Sequence, residues 1–216
     1  MKKILSFLTS FILAFSTVQV VFADGNGSMS NFKKTKNYTN GQFSDVSKND
    51  WFEENVKLAY ELGLINGRSD TTFDPDGEIT YAETLALVCR IHNIYSGGTY
   101  KFNKTNPWYE TYVKYNDKFC LIPFLLEPDE KMTRFTFAWA MMYAVPELDE
   151  INDIPDDAIP DVDDSCFQAY TLYRAGILTG KDKLGNFVPY STVKRSEVAT
   201  IITRVVDKSL RIKFKL

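Results

Sequence analysis

The chain has 216 residues, 25 Lys and Arg against 28 Asp and Glu, a formal charge of −3, one His and three Cys. An acidic balance of this kind does not draw nucleic acid or an anionic membrane through the overall field, so an anionic partner has to be met by a local site. With a single His, no Ser/His/Asp or Cys/His set, phosphate loop or zinc spacing can be assembled, and the chain reads as a non-enzyme with no cofactor and no metal.

Lys2 and Lys3 precede an apolar run from Ile4 to Phe22, and Val21-Phe22-Ala23 supplies small residues at the exit. This is the order of a secretory signal peptide, residues 1–23. Ser6, Thr9, Ser10, Ser16, Thr17 and Gln19 weaken the run as a permanent span. No later stretch is long and apolar enough to cross a bilayer, so no membrane span is expected in the mature chain. Residues 24–42, rich in Gly, Asn, Ser, Lys and Thr, read as a flexible linker. Cys89, Cys120 and Cys166 make an odd count, with at most one internal bridge, and each stands among apolar neighbours as a buried thiol would.

From residue 43 the chain repeats itself. Tyr60-Glu-Leu-Gly-Leu-Ile-Asn-Gly67 returns as Tyr173-Arg-Ala-Gly-Ile-Leu-Thr-Gly180. Phe73-Asp-Pro-Asp-Gly-Glu-Ile-Thr-Tyr-Ala-Glu83 returns as Phe187-Val-Pro-Tyr-Ser-Thr-Val-Lys-Arg-Ser-Glu197. The offset is 113 for the glycines and 114 for Phe, Pro and Glu, and both units open on Asp-Val, at Asp45 and at Asp161. Such an interval leaves room for a worn middle copy. Trp108-Tyr-Glu-Thr-Tyr-Val113 matches Trp51-Phe-Glu-Glu-Asn-Val56 at an offset of 57, and Pro128 to Thr133-Arg134 matches Pro75 to Thr80-Tyr81 at 53. The units run over 43–96, 97–146 and 154–207, followed by a basic and apolar tail, 208–216. Asp149 to Asp164, with Pro155 and Pro160, reads as a solvated linker.

Each unit predicts a helix, a loop and a second helix. In the first, Trp51, Val56, Ala59 and Tyr60 share one side of a short helix after Asn49-Asp50. Gly63 suits the left-handed residue that ends it. Thr80-x-x-Glu83 is a capping box that starts the second helix. In the last unit Val198, Ile201, Ile202, Val205 and Val206 form a stripe at helical period. One such pair cannot bury its stripe alone, whereas three around a common axis can. The expected fold class is all-α, three helix–loop–helix repeats packed as a pseudo-threefold bundle.

The order Phe43-Ser-Asp45-Val46, Trp51, Gly63-Leu-Ile-Asn-Gly67, Phe73-Asp-Pro75 and Ile79-Thr-Tyr-Ala-Glu83 resembles the S-layer homology module. Ile159-Pro-Asp161-Val162, Gly176 to Gly180, Phe187-Val-Pro189 and Val193-Lys-Arg-Ser-Glu197 give it again. The resemblance implies a secreted, cell-surface protein held non-covalently to the cell wall. Its partner would be an acidic secondary cell-wall polysaccharide, often pyruvylated, lying in grooves between modules. The glycan-binding positions it implies are Arg134, Arg195 and Tyr81 at the second motif position, with Trp51, Trp108, Asp45, Asp161, Gly67 and Gly180. On their own chemistry, Arg matches a planar carboxylate with two parallel hydrogen bonds, amides at a helix start add positive potential, and Trp offers a flat face to a sugar ring. Tyr81, Thr136 and Lys194 depart from the motif, so at most two grooves are well equipped. The alternative is a structural or adaptor protein whose worn repeats mediate protein assembly. A calcium loop over Thr72 to Glu83 is set aside, because Thr72 stands where Asp is needed and Pro75 stiffens the loop.

Overall fold

A computed structural model describes residues 27–145, 148–163 and 165–216, so the signal peptide read over residues 1–23 lies outside the described residues. The chain is all-α. Among the described residues there are six α-helices and no named strand: α1 (Glu53–Glu61), α2 (Tyr81–Tyr95), α3 (Glu110–Phe119), α4 (Arg134–Met142), α5 (Phe167–Arg174) and α6 (Arg195–Val206). None is long and apolar enough to cross a membrane.

The local code behaves as the residues dictate. Thr80 caps α2 through its hydroxyl to Glu83 N (3.3 Å), while the Glu83 carboxylate returns to Thr80 N (3.0 Å). Thr133 caps α4 at Thr136 N. At α6, Lys194 has no hydroxyl to offer, and Glu197 alone reaches back to Lys194 N at 3.1 Å. Gly63 and Gly176 take left-handed backbone just past α1 and α5, and Cys120 takes the same conformation past α3 despite its side chain (φ 51°).

The first helix of each pair packs against the second helix of another: α1 on α6, α3 on α2, α5 on α4. At the centre the extended residues ahead of α2, α4 and α6 join in a closed ring of three backbone hydrogen bonds. Ile79 N donates to Val193 O (3.1 Å), Val193 N to Met132 O (3.2 Å) and Met132 N to Ile79 O (3.0 Å). All three side chains are buried there. Further bonds tie each helix start to a different pair. Tyr81 N and Ala82 N reach Glu130 O and Pro128 O, Arg134 N and Phe135 N reach Ser191 O and Pro189 O, and Arg195 N and Ser196 N reach Gly77 O and Pro75 O. The first two amides of α2, α4 and α6 are therefore consumed inside the bundle. These six amides are not open to an anion, contrary to the reading of the sequence.

Two other expectations differ from the structure. From residue 27 the segment read as a linker is laid against the helices. It forms a short turn at Met29–Asn31, and Ser28 N bonds Tyr95 O while Thr35 N and Lys36 N bond Glu61 O. Its backbone amides, with the Asn31 side chain, satisfy carbonyls at the C-terminal ends of α1 and α2. Cys89 and Cys166 are buried, but Cys120 is exposed, because its place past the end of α3 turns it outward. The tail also folds back. Ile212 N bonds Gly176 O, Asn152 brackets Ile212 and Phe214, and the Phe214 ring stands edge-on to Tyr173.

Candidate functional site

Two clefts of matching construction lie between helix pairs. The first, about 140 Å³, has the loop after α1 on one wall and α2 on the other. Gly67, Arg68, Glu83 and Arg90 come from that pair, Trp108 arrives from the start of α3, and Arg195 from the start of α6. The second, about 250 Å³, repeats the set with Gly180, Lys181, Glu197 and Arg204, to which Trp51 and Arg134 are added from the other two pairs. Each cleft thus draws on all three pairs.

The buried arginines are fixed in the same way. Arg195 Nε donates to Phe73 O at 2.9 Å and Arg134 Nε to Phe187 O at 2.8 Å, each guanidinium lying over the ring of that Phe. Arg195 also gives an Nη hydrogen to Asn66 O (2.6 Å). Both side chains are only 4 % exposed, yet each borders its cleft. Burial pushes both guanidinium pKa values down. The Glu197 carboxylate, 3.8 Å away, opposes this at Arg134, and the Arg68 charge adds to it at Arg195. A guanidinium keeps its proton under such shifts. What burial changes is its hydration, since a group already stripped of water and held by its Nε binds an acid with less to reorganise.

Around each arginine stands a second cation and an acid. Arg68 pairs with Glu83, and Lys181 with Glu197. Arg90 is pinned by Leu64 O and by the Tyr112 hydroxyl (2.5 Å), and Arg204 by Ile177 O (3.2 Å). Three cations and one acid line each cleft, with Asp74 also paired to Arg68 at the first, so both clefts are positive on a chain that is negative overall. Trp51, 65 % exposed, and Trp108, 50 % exposed, line the clefts, with ring planes close to perpendicular to those of Phe52 and of Tyr109 and Tyr112 respectively. A flat apolar face this open suits a sugar ring.

The third corresponding position is built differently. Tyr81 takes the place of the arginine, and its hydroxyl donates to Phe124 O at 3.1 Å, the bond that Arg195 and Arg134 make to Phe73 and Phe187. Thr136 stands where Glu83 and Glu197 stand, and Tyr143 where Arg90 and Arg204 stand. Phe124, Phe135 and Phe167 close edge-on around Trp139, with centroids 5.6 to 6.3 Å from it. The scaffold is kept while charge and space are gone.

The structure therefore gathers Trp108, Gly67 and Arg195 in one cleft and Trp51, Gly180 and Arg134 in the other, and sets Tyr81 apart. Asp45 and Asp161 border neither cleft. Each spends both carboxylate oxygens on backbone amides, Phe73 N and Asp74 N for Asp45, Phe187 N and Val188 N for Asp161, all within 2.8 Å. They clamp the loop that presents the Phe carbonyl to the arginine, and they are not placed to touch a ligand there. Gly67 and Gly180 do line the clefts, but a Cβ on either would strike the chain's own loop at 2.4 and 2.3 Å. The close approach they permit is internal. Arg68, Lys181, Arg90 and Arg204 were missed, although a cation recurs at offsets of 113 and 114 in both pairs.

Comparison with known proteins bears on the same segments. The S-layer homology domain matches residues 42–85. A cell surface protein of Thermoanaerobacter kivui is 46% identical over 48 residues, 22% of this chain and 6% of that protein. An amylopullulanase of Thermoanaerobacterium thermosulfurigenes is 24% identical over 180 residues, 77% of this chain and 10% of the enzyme. Exoglucanase XynX of Acetivibrio thermocellus is 23% identical over 179 residues, 77% of this chain and 16% of the enzyme. The chain thus spans a small part of each of these relatives. Over residues 42–85, about a fifth of its length, the chain is similar to the S-layer homology domain.

Proposed function

We propose that this chain is a non-catalytic anchor of three tandem S-layer homology modules, exported and held at the cell surface. It grips an acidic wall polysaccharide in the two equipped clefts. The observation that carries this reading is the repeated juxtaposition of an exposed Trp with a buried, preset Arg and two further cations. A pyruvyl ketal on a sugar offers the complement, a planar carboxylate beside a ring. The carboxylate meets Arg195 or Arg134 while the ring lies on Trp108 or Trp51. The match to a cell-surface protein over the first module supports the location, and the shared segment in two large glycan-degrading enzymes supports an attachment role separate from catalysis.

The test is co-sedimentation of residues 24–216 with purified cell walls, before and after removal of pyruvyl groups. The protein is expected to pellet with intact walls and to stay largely in solution with depyruvylated ones. A chain that ignores both, or that binds both equally after Trp51→Ala with Trp108→Ala, overturns the reading.

A further inference from the structure

Beside the closed third position runs an apolar trough in two halves of about 410 and 470 Å³, larger than either charged cleft. Tyr81 and Leu85 of α2 and Val113 of α3 belong to both halves, and Leu125 stands between them at 83 % exposure. The trough follows from the loop. Leu64 to Pro75 spans twelve residues in the first unit, whereas Leu121 to Pro128 spans eight. The shorter connection leaves the groove between α2 and α3 open and drives Leu125 into solvent.

Its charge is the reverse of the clefts. Asp117 lines one half and Glu127 and Glu130 the other, no Lys or Arg lines either, and none of the three acids is in an ion pair among the described residues. An acidic wall polymer is therefore repelled from this face. We propose that the trough is a protein-docking site for a short amphipathic segment whose apolar side chains seat on either side of Leu125 and whose flanking Lys or Arg meet Asp117, Glu127 and Glu130. The chain then has two faces of opposite chemistry, and this second one stands whether or not the clefts bind glycan.

A fluorescently labelled octapeptide alternating Leu and Lys is titrated into residues 24–216 and followed by anisotropy. Binding is expected, weakening at least tenfold with Leu125→Glu and at least fivefold with Glu127→Lys plus Glu130→Lys. These side chains are exposed, so the variants are expected to keep the wild-type melting temperature and wall co-sedimentation. Equal binding of an alternating Leu and Glu peptide overturns the proposal, as does insensitivity to both variants. Displacement by an uncharged alkyl glucoside with no peptide binding, or a Leu125-dependent dimer in its place, overturns it also.

Discussion

Arg134 lies across Phe187, its Nε 2.8 Å from the Phe187 carbonyl oxygen and its guanidinium carbon 5.2 Å from the ring centre. Arg195 repeats the arrangement on Phe73. Each arginine is a strut of the fold before it is a ligand contact. Arg134→Ala and Arg195→Ala leave a buried carbonyl without its charged donor and are each expected to cost about 2–3 kcal/mol of stability. A urea midpoint that stays at the wild-type value in either variant contradicts this. Loss of wall binding in these variants reports on folding as well as on contact.

The tryptophans separate the two. Trp51 and Trp108 are mostly in solvent, so Trp51→Ala and Trp108→Ala should change stability by no more than about 0.5 kcal/mol. Calorimetric titration with a pyruvylated disaccharide should show one site lost or weakened about tenfold or more in each single variant, and no measurable heat in the double variant.

Restoring the missing arginine does not restore a third site. In Tyr81→Arg the new guanidinium enters a position that is 4 % exposed, with Thr136 where the other clefts hold a Glu, and the Phe124 and Trp139 rings remain. Destabilisation of about 1–3 kcal/mol is expected from the buried charge. The titration stoichiometry should stay at two per chain, and a value of three sinks the account of closure.

Much of this was legible and some was not, for definite reasons. The caps at Thr80 and Glu83 and the helix stop at Gly63 are local bonds within a few residues, so motif spacing reveals them. That Trp108 faces Arg195 depends on a helix pair swapping its neighbour, which no local pattern encodes. Asp45 and Asp161 are ligand positions only by the family resemblance, and their place recurs from unit to unit. Recurrence marks necessity, and here the necessity is a pair of backbone amides in the loop. Recurrence at Arg90 and Arg204 went unread because a cation on a helix is so commonly a solvated one.

The single histidine sets a pH dependence. His92 is buried on α2 with Nδ1 2.9 Å from the Tyr115 hydroxyl, and burial pushes its pKa down to about 4 from the usual 6.5. The unfolded chain then binds a proton that the folded chain refuses between about pH 6.5 and 4, so stability rises with pH across that window and is lost as pH falls through it. The contribution reaches about 3 kcal/mol at its full extent. Urea unfolding of the wild type and of His92→Phe at pH 7 and pH 4.5 should show the steeper acid loss in the wild type, and parallel losses refute the assignment.

The ring of amide-to-carbonyl bonds through Ile79, Met132 and Val193 also governs when this chain can become native. Ile79 finds its acceptor 114 residues further along the chain, and α6, the helix that α1 packs on, lies beyond that. Closure between residues so far apart in sequence raises the contact order, which slows folding. Residues 42–85 cut out alone keep the Asp45 clamp and the Thr80–Glu83 cap but lack Met132, Val193 and α6.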